Sequence, residues 1–257
     1  MRKIQLVLVA LIVLILSAFK ADHVITIYMI GDSTMSNKPL EGNNQERGWG
    51  HVLGSFFTED VRVENHAMNG RSSKSFIDEG RWETVVNKIR PGDYVFIQFG
   101  HNDEKPQPER HTDPGTTFDE NLRKFVRETR AKGGIPVLFN SIVRRNFGVN
   151  PDAVAADDIR PEKDEAVVEG DTLIDTHGKY LESPRNVAKE MNVCFIDLNQ
   201  ATKKLVESYG VEGSKKLFMW IPADTYAACP KGRQDNTHLN IYGCLLYTSP
   251  SPRDRSL

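Results

Sequence analysis

A chain of 257 residues is long enough to bury one sizeable core, and a single domain is the default for an α/β protein of this length. The formal net charge of −2 and the pI near 6.4 give no electrostatic footprint for nucleic acid. Lys and Arg are scattered without a long basic run, which also argues against an anionic membrane surface as a partner.

The amino-terminal residues have the pattern of a secretory signal peptide. Arg2 and Lys3 form a charged start, Leu6–Leu16 is an unbroken apolar run, and small residues follow at positions 17, 18 and 21. The run is shorter than the roughly 20 apolar residues of a membrane span. We therefore predict a signal peptide over residues 1–21 and a secreted or periplasmic protein with no membrane association after cleavage. An uncleaved anchor is the alternative.

Five short apolar runs, rich in β-branched residues, alternate with helix-compatible stretches. The predicted strands are Val24–Ile30, Val61–Ala67, Tyr94–Phe99, Pro136–Ile142 and Val193–Leu198. The predicted helices are Glu83–Ile89, Phe118–Ala131 and Pro184–Met191. Nearly continuous hydrophobicity is typical of parallel strands that are covered on both faces. The alternation therefore predicts an α/β protein, a three-layer α/β/α sandwich around a parallel five-stranded sheet.

Two stretches fall outside this alternation. Residues 144–180 are polar and rich in Asp and Glu, which predicts a long loop rather than a second domain. Residues 244–257 carry two prolines and no apolar periodicity, so they do not predict a closing helix. We expect the folded domain to span residues 22–243. The tail over 244–257 resembles translated sequencing-adapter sequence and is predicted to be an artefact, with a natural disordered tail as the alternative.

Three polar motifs directly follow predicted strands. They are Gly31-Asp32-Ser33-Thr34, residues 68–72 and Gly100-His101-Asn102-Asp103. Because the carboxyl ends of parallel strands meet at one edge of the sheet, where ligands bind in such folds, we expect these motifs to lie together.

A fourth motif, Asp235-Asn236-Thr237-His238, completes the parts of a serine acyl-hydrolase. A serine hydroxyl such as that of Ser33 needs a base within reach and a third group to orient the base. Asp235 and His238 are three residues apart and can share one turn. The Gly70 amide, the Asn102 side chain and the Ser33 amide are candidate oxyanion donors. Taken singly, each is equally typical of a turn, a cap or a surface position.

Other nucleophile and cofactor signatures are missing. The sequence has no G-x-S-x-G nucleophile elbow and no Walker A motif, and no G-x-G-x-x-G follows the first strand. These gaps argue against an α/β-hydrolase elbow and against a dinucleotide site.

Taken together, the motifs resemble the SGNH (GDSL-type) hydrolase family over roughly residues 24–243. Further stretches are similar to the rhamnogalacturonan acetylesterase branch of bacterial pectin-degrading enzymes: residues 69–76, residues 79–82, residues 98–103 and residues 234–238. The resemblance implies a flavodoxin-like sandwich and an exported esterase acting on acetylated pectic polysaccharide. It assigns Ser33 as nucleophile, Asp235 and His238 as the rest of the triad, and Ser33, Gly70 and Asn102 as the oxyanion hole. Neither a metal nor an organic cofactor is expected.

Substrate contacts are a separate hypothesis. Arg144 and Arg145 follow the fourth predicted strand, and arginine suits the carboxylates of galacturonate, so we expect one of them to contact the pectin backbone. His101 is a third candidate. A solvated arginine pair is the alternative. Asp175-Thr176-His177 has the wrong spacing for a triad pair and suits a substrate contact or loop structure.

Alternative functions stay open from the sequence. A deacetylase of another polymer such as xylan and a broad short-chain esterase use the same chemistry. A non-catalytic carbohydrate-binding protein and a flavodoxin-like cofactor binder are rivals from other classes. The sequence makes no prediction of oligomeric state.

Overall fold

A computed structural model describes residues 24–147 and 173–249. The predicted signal peptide, most of the polar stretch after position 147 and the last eight residues lie outside the described residues. The expectations made for them stay predictions.

The centre of the fold is a parallel five-stranded sheet. Its strands are β1 (Ile25–Gly31), β3 (Val61–Asn65), β4 (Tyr94–Gln98), β5 (Ile135–Phe139) and β6 (Cys194–Ile196), in the spatial order β3-β1-β4-β5-β6. All five predicted strands are present with small differences at their ends. The predicted α/β/α sandwich is confirmed.

Helices cover both faces of this sheet. They are α1 (Ser73–Asp78), α2 (Arg81–Val86), α3 (Thr117–Ala131), α4 (Glu182–Met191), α5 (Leu198–Gly213) and α6 (Ile241–Thr248). Neighbouring strand residues point to opposite faces, so Tyr28 and Ile30 join one apolar cluster while Ile27 and Met29 join the other. The first cluster packs under α1 to α4. The second packs under α5, α6 and a 3-10 helix, Trp49–Phe56.

The strand order decides where the motifs meet. Strand β1 lies between β3 and β4. The order in which the chain adds strands to the sheet therefore reverses at β1: β3 lies on one side of it, and β4, β5 and β6 lie on the other. Crevices at the carboxyl edge of such a reversal are the usual ligand sites of open α/β sheets. The turn after β1 is therefore flanked by the loops that follow β3 and β4.

A second, antiparallel sheet was not predicted. It consists of β2 (Glu46–Arg47), β8 (Arg233–Asn240) and β7 (Phe218–Ile221), in the order β2-β8-β7. Its register breaks between the pairs Trp220↔Gln234 and Phe218↔Leu239. One residue of β7 therefore faces the four residues 235–238 of β8, which bulge out of the ladder. This bulge carries the Asp-x-x-His motif.

Helix α6 corrects the prediction for the carboxyl-terminal residues. It continues to Thr248, past Gly243, and its residues Cys244, Leu246 and Tyr247 are buried. The Asn240 side chain caps it by accepting a hydrogen bond from the Gly243 amide. The short stretch up to residue 248 has too few residues to show apolar periodicity, and its two prolines fall only after the helix has ended.

Candidate active site

Ser33 lies in a tight turn at the end of β1. The Asp32 carboxylate accepts hydrogen bonds from the Thr34 amide at 2.9 Å and the Thr34 hydroxyl at 2.7 Å. The amides of Met35 and Ser36 donate to the Asp32 carbonyl, which closes one helical turn. Asp32 and Thr34 are buried, whereas Ser33 is half-buried. The turn therefore presents the Ser33 hydroxyl on a fixed backbone.

His238 and Asp235 reach this hydroxyl from the second sheet. The His238 Nε2 atom lies 2.9 Å from Ser33 Oγ, and its Nδ1 atom lies 2.8 Å from Asp235 Oδ2. Asp235 Oδ1 accepts hydrogen bonds from the amides of Thr237 at 2.7 Å and His238 at 2.9 Å. With Asp235 ionised, Nδ1–H donates to the carboxylate and Nε2 accepts from the Ser33 hydroxyl. This is the connectivity of a nucleophile, its base and the group that orients the base.

Charges keep Asp235 ionised. Burial alone would raise the pKa of Asp235, but His238, Arg233 and the backbone amide of His238 hold this pKa well below its usual range. Asp235 is therefore a carboxylate at neutral pH, as an acceptor for the imidazole must be. The bulge in β8, rather than the predicted single turn, brings Asp235 and His238 together.

Gly70 lies in the loop after β3, which is joined to the end of β1 by a hydrogen bond from the Met68 amide to the Gly31 carbonyl at 2.9 Å. It is the third residue of a turn closed by the Arg71 amide and the Met68 carbonyl, and its φ is +73°. No atom lies within 4 Å of the position that a Cβ would occupy, so glycine is needed here for its left-handed backbone rather than for space. Across residues 24–147 and 173–249, neither the Gly70 nor the Ser33 amide has a hydrogen-bond acceptor. Both N–H groups are available to a ligand.

Asn102 lies in the loop after β4 and contacts the turn that carries Gly70. Its Nδ2 atom donates to the Arg71 carbonyl at 3.2 Å, and its Oδ1 atom accepts from Arg110 Nη1 at 3.2 Å. Arginine can only donate, so this contact fixes which side of the carboxamide carries the N–H bonds. One Nδ2–H remains for an oxyanion.

Asp103, next to Asn102, has a structural role that its place in the Gly100–Asp103 motif does not indicate. It is fully buried and accepts hydrogen bonds from the Ser73 amide, the Ser73 hydroxyl, the Thr112 hydroxyl and the Gly100 amide. Burial raises its pKa to about 7 although these donors oppose the rise. The carboxylate connects the loop that carries Asn102 to the start of α1.

Arg145 is buried and makes internal contacts, contrary to the prediction that it contacts the substrate. Its guanidinium is buried and donates to Ser214 Oγ at 2.9 Å, Asn236 Oδ1 at 3.1 Å and the Val211 carbonyl. It also stacks 5.0 Å from the Trp220 ring. The Arg145 amide donates to the Asn236 carbonyl at 2.8 Å. Arg145 therefore fastens the bulge that carries Asp235 and His238.

Arg144 and His101 are also buried, contrary to the expectation that they contact the polysaccharide. Arg144 pairs with Glu104 at 2.5 Å, and Glu104 lies 3.0 Å from His177 Nδ1. The His101 ring packs edge-on against His177 with centroids 4.5 Å apart. Burial and the neighbouring charges of His177 and Arg144 hold the pKa of His101 well below its usual value. The rings and the ion pair form an internal cluster under the loop after β4.

The second Asp-His pair in the chain builds its own loop. Asp175 accepts hydrogen bonds from the amides of His177 at 3.0 Å and Gly178 at 2.8 Å. Of the two interpretations given for this pair, the structure supports loop structure.

Sequence reasoning missed three charged residues around the site: Lys38, Glu46 and Arg233. Arg233 is two residues before Asp235, a spacing that places both on one side of a strand. Glu46 and Lys38 carry no local signal, because only the pairing of β2 with β8 brings them close.

Two features are absent from residues 24–147 and 173–249, the part of the chain that the structure describes. No helix within them is long and apolar enough to cross a membrane. No group of three or more His, Cys, Asp or Glu side chains in that part of the chain could hold a metal ion.

Comparison with known proteins gives consistent matches. The model of the GDSL-like Lipase/Acylhydrolase family matches residues 29–240. Rhamnogalacturonan acetylesterase RhgT of Bacillus subtilis is 38% identical over 221 residues, which cover 86% of this chain and 85% of that protein. Probable rhamnogalacturonan acetylesterase YesY of the same species is 31% identical over 224 residues, 87% of each chain. The solved structure of Bacillus subtilis YxiM has a TM-score of 0.65 at 27% identity and is matched over 87% of this chain and 54% of its own.

Proposed function

Because the chain belongs to the GDSL-like lipase/acylhydrolase family, we propose that it is a serine esterase that removes acetyl groups from rhamnogalacturonan. The chemistry rests on one observation, the hydrogen-bond chain from Ser33 through His238 to Asp235. The substrate rests on the two relatives named for rhamnogalacturonan acetylesterase activity, which the chain matches over most of its length.

The first half of the reaction acylates Ser33. Its Oγ attacks the acetyl carbonyl carbon while His238 Nε2 takes the hydroxyl proton. Negative charge develops on the carbonyl oxygen, where the Ser33 amide, the Gly70 amide and Asn102 Nδ2 donate hydrogen bonds to it. The ester C–O bond then breaks, and His238 returns its proton to the departing sugar oxygen.

The second half releases acetate. Water attacks the acetyl carbon of the acyl-enzyme and gives a proton to His238, and the same three donors hold the second oxyanion. The bond to Ser33 Oγ breaks and His238 reprotonates the serine. Asp235 stays ionised throughout and stabilises the imidazolium that forms twice in each turnover. Ping-pong kinetics are the expected signature.

Export agrees with this substrate. A plant cell-wall polysaccharide is met outside the cytoplasm, and the signal-peptide pattern over residues 1–21 is what such an enzyme needs. We therefore propose a secreted or periplasmic location together with the activity.

The decisive experiment measures acetate release from acetylated rhamnogalacturonan, with acetylated xylan in parallel. We expect release from the pectic polymer that a Ser33→Ala variant abolishes. Ser208→Ala, an exposed serine on α5, is the matched control and retains full activity. Faster release from acetylated xylan would show that xylan, the alternative polysaccharide, is the preferred substrate. Release from neither polymer by the folded protein would reject the rhamnogalacturonan assignment.

A further inference from the structure

Arg233 binds the same oxygen of Asp235 that receives the imidazole. Its Nη2 atom lies 2.5 Å from Asp235 Oδ2 and 3.4 Å from His238 Nδ1. Together with the two backbone amides on Oδ1, the carboxylate has four donors, two on each oxygen. A carboxylate held in this way cannot rotate, so the imidazole that depends on it has one orientation. The same guanidinium places a positive charge beside the His238 imidazole, which must itself become positive during the reaction.

Glu46 compensates that charge. Its Oε2 atom lies 2.5 Å from Arg233 Nη1, and its Oε1 atom lies 2.7 Å from Lys38 Nζ. The side chain of Glu46 is 13% exposed and that of Lys38 only 2%, so water screens this pair weakly. Burial would raise the pKa of Glu46, but His238, Lys38 and Arg233 lower it to about 2. Glu46 is therefore charged, and the Arg233 guanidinium links it to His238, with Nη1 on Glu46 and Nη2 3.4 Å from His238 Nδ1.

The Lys38 ammonium extends the network to the oxyanion side of the site. It donates to Asn69 Oδ1 at 2.6 Å, and the Ser36 hydroxyl donates to the same oxygen at 2.7 Å. Asn69 directly precedes Gly70. Charges of alternating sign thus run from the oxyanion turn to the base.

Four elements present charged or titratable groups toward His238. Strand β8 contributes Arg233 and Asp235, strand β2 contributes Glu46, and the loop after β4 contributes His101. The turn after β1 contributes the Ser33 hydroxyl. His101 is buried and neutral, and Lys38 lies behind Glu46, so the balance of charge at the imidazole is set by Asp235, Arg233 and Glu46.

We propose that Glu46 and Arg233 are a positioning pair for the base: Arg233 fixes Asp235, and Glu46 cancels the field that Arg233 exerts on His238. The proposal rests on the esterase function proposed above. It assigns neither residue a contact with the substrate. Its consequence is that the two members of one ion pair act on catalysis in opposite electrostatic directions.

The test is the pH dependence of kcat/KM on a small aryl acetate, whose hydrolysis does not depend on polymer binding. The acid limb reports loss of the unprotonated base as the pH falls. Glu46→Gln removes a negative charge near His238 and should move this limb to lower pH. Arg233→Gln removes a positive charge but keeps a donor for Asp235, and should move the limb to higher pH. Each shift should be about half a pH unit or more, because Arg233 lies 3.4 Å from His238 Nδ1 and Glu46 pairs directly with Arg233 in partly buried surroundings.

Two further variants separate electrostatics from general damage. The double variant Glu46→Gln with Arg233→Gln should return the limb close to its wild-type position. Glu190→Gln, which breaks the exposed ion pair with Arg123, is the matched control and should not move it. Folding of every variant is checked by circular dichroism.

Each result bears on one proposal only. Shifts in the same direction for the two single variants, or shifts no larger than that of Glu190→Gln, would overturn the positioning role. Absence of Ser33-dependent hydrolysis in the wild-type enzyme would instead overturn the esterase function itself.

Discussion

At the scale of single residues, the site depends on backbone geometry as much as on side chains. Two of the three proposed oxyanion donors are amides, and their directions are set by the turns after β1 and β3. Gly70 has a left-handed φ, and no neighbouring protein atom would meet a Cβ there, so the protein itself requires glycine at this position for the φ angle.

Gly70→Ala should separate catalysis from backbone strain. A left-handed alanine costs about 1 kcal/mol, and the shift of the turn that relieves it moves the N–H away from the oxyanion. We expect kcat to fall by about tenfold or more. Gly80, with φ of +69° and equally open surroundings, is the matched control. Gly80→Ala should lose similar stability in thermal unfolding and no kcat, whereas equal kcat in both variants would contradict the role given to Gly70.

At the scale of elements, the bulge in β8 and the residues that hold it determine where His238, the proposed base, lies. The ladder of β7 and β8 alone would leave Asp235 and His238 on a regular strand, where residues three apart point to opposite faces. The bulge folds them back on one another, and Arg145 holds its middle residue, Asn236, by backbone and side chain. Burial lowers the pKa of Arg145 to about 10, which leaves the group charged at neutral pH.

Arg145→Lys should therefore damage catalysis on every substrate alike. A lysine cannot reach Ser214, Asn236 and the Val211 carbonyl together, and the buried groups left unpaired should cost about 2–4 kcal/mol. The expected result is a lower Tm and the same fractional loss of kcat/KM on an aryl acetate and on acetylated rhamnogalacturonan. Arg123→Lys, at an exposed ion pair, controls for the exchange itself. A KM increase confined to the polymer would restore the earlier substrate-contact interpretation.

At the scale of the whole molecule, the second sheet is packed against the rest of the fold through α6, the helix that follows His238 in the chain. Helix α6 begins directly after β8 and packs on the 3-10 helix Trp49–Phe56. A Cβ at Gly243 would lie 1.9 Å from the Leu217 carbonyl oxygen, which shows how closely the helix approaches the chain before β7. The position of His238 thus depends on packing that lies beyond it in the chain.

Two truncations test this dependence. Ending the chain after Ser249 keeps the whole of α6 and gives the reference Tm. Ending it after Gly243 removes the buried Cys244, Leu246 and Tyr247. At about 1.5–3 kcal/mol for each large apolar side chain, the loss is comparable with the whole stability of a domain. Thermal unfolding followed by circular dichroism measures both, and equal Tm values would show that α6 does not stabilise the fold.

The sequence by itself predicted the five parallel strands, the sandwich and the family, which the structure and the comparisons confirm, and it offered Ser33, Gly70, Asn102, Asp235 and His238 as the candidate site. These follow from local patterns, because each apolar run and each short motif consists of residues that are close together in the sequence. Only the tertiary structure decided that Arg144, Arg145 and His101 are internal, that Glu46 and Lys38 stand behind the base, and that α6 closes the fold. Burial and charge pairing depend on elements far apart in the chain, so the same arginine beside a strand end is a substrate ligand or a buried clamp according to what packs over it.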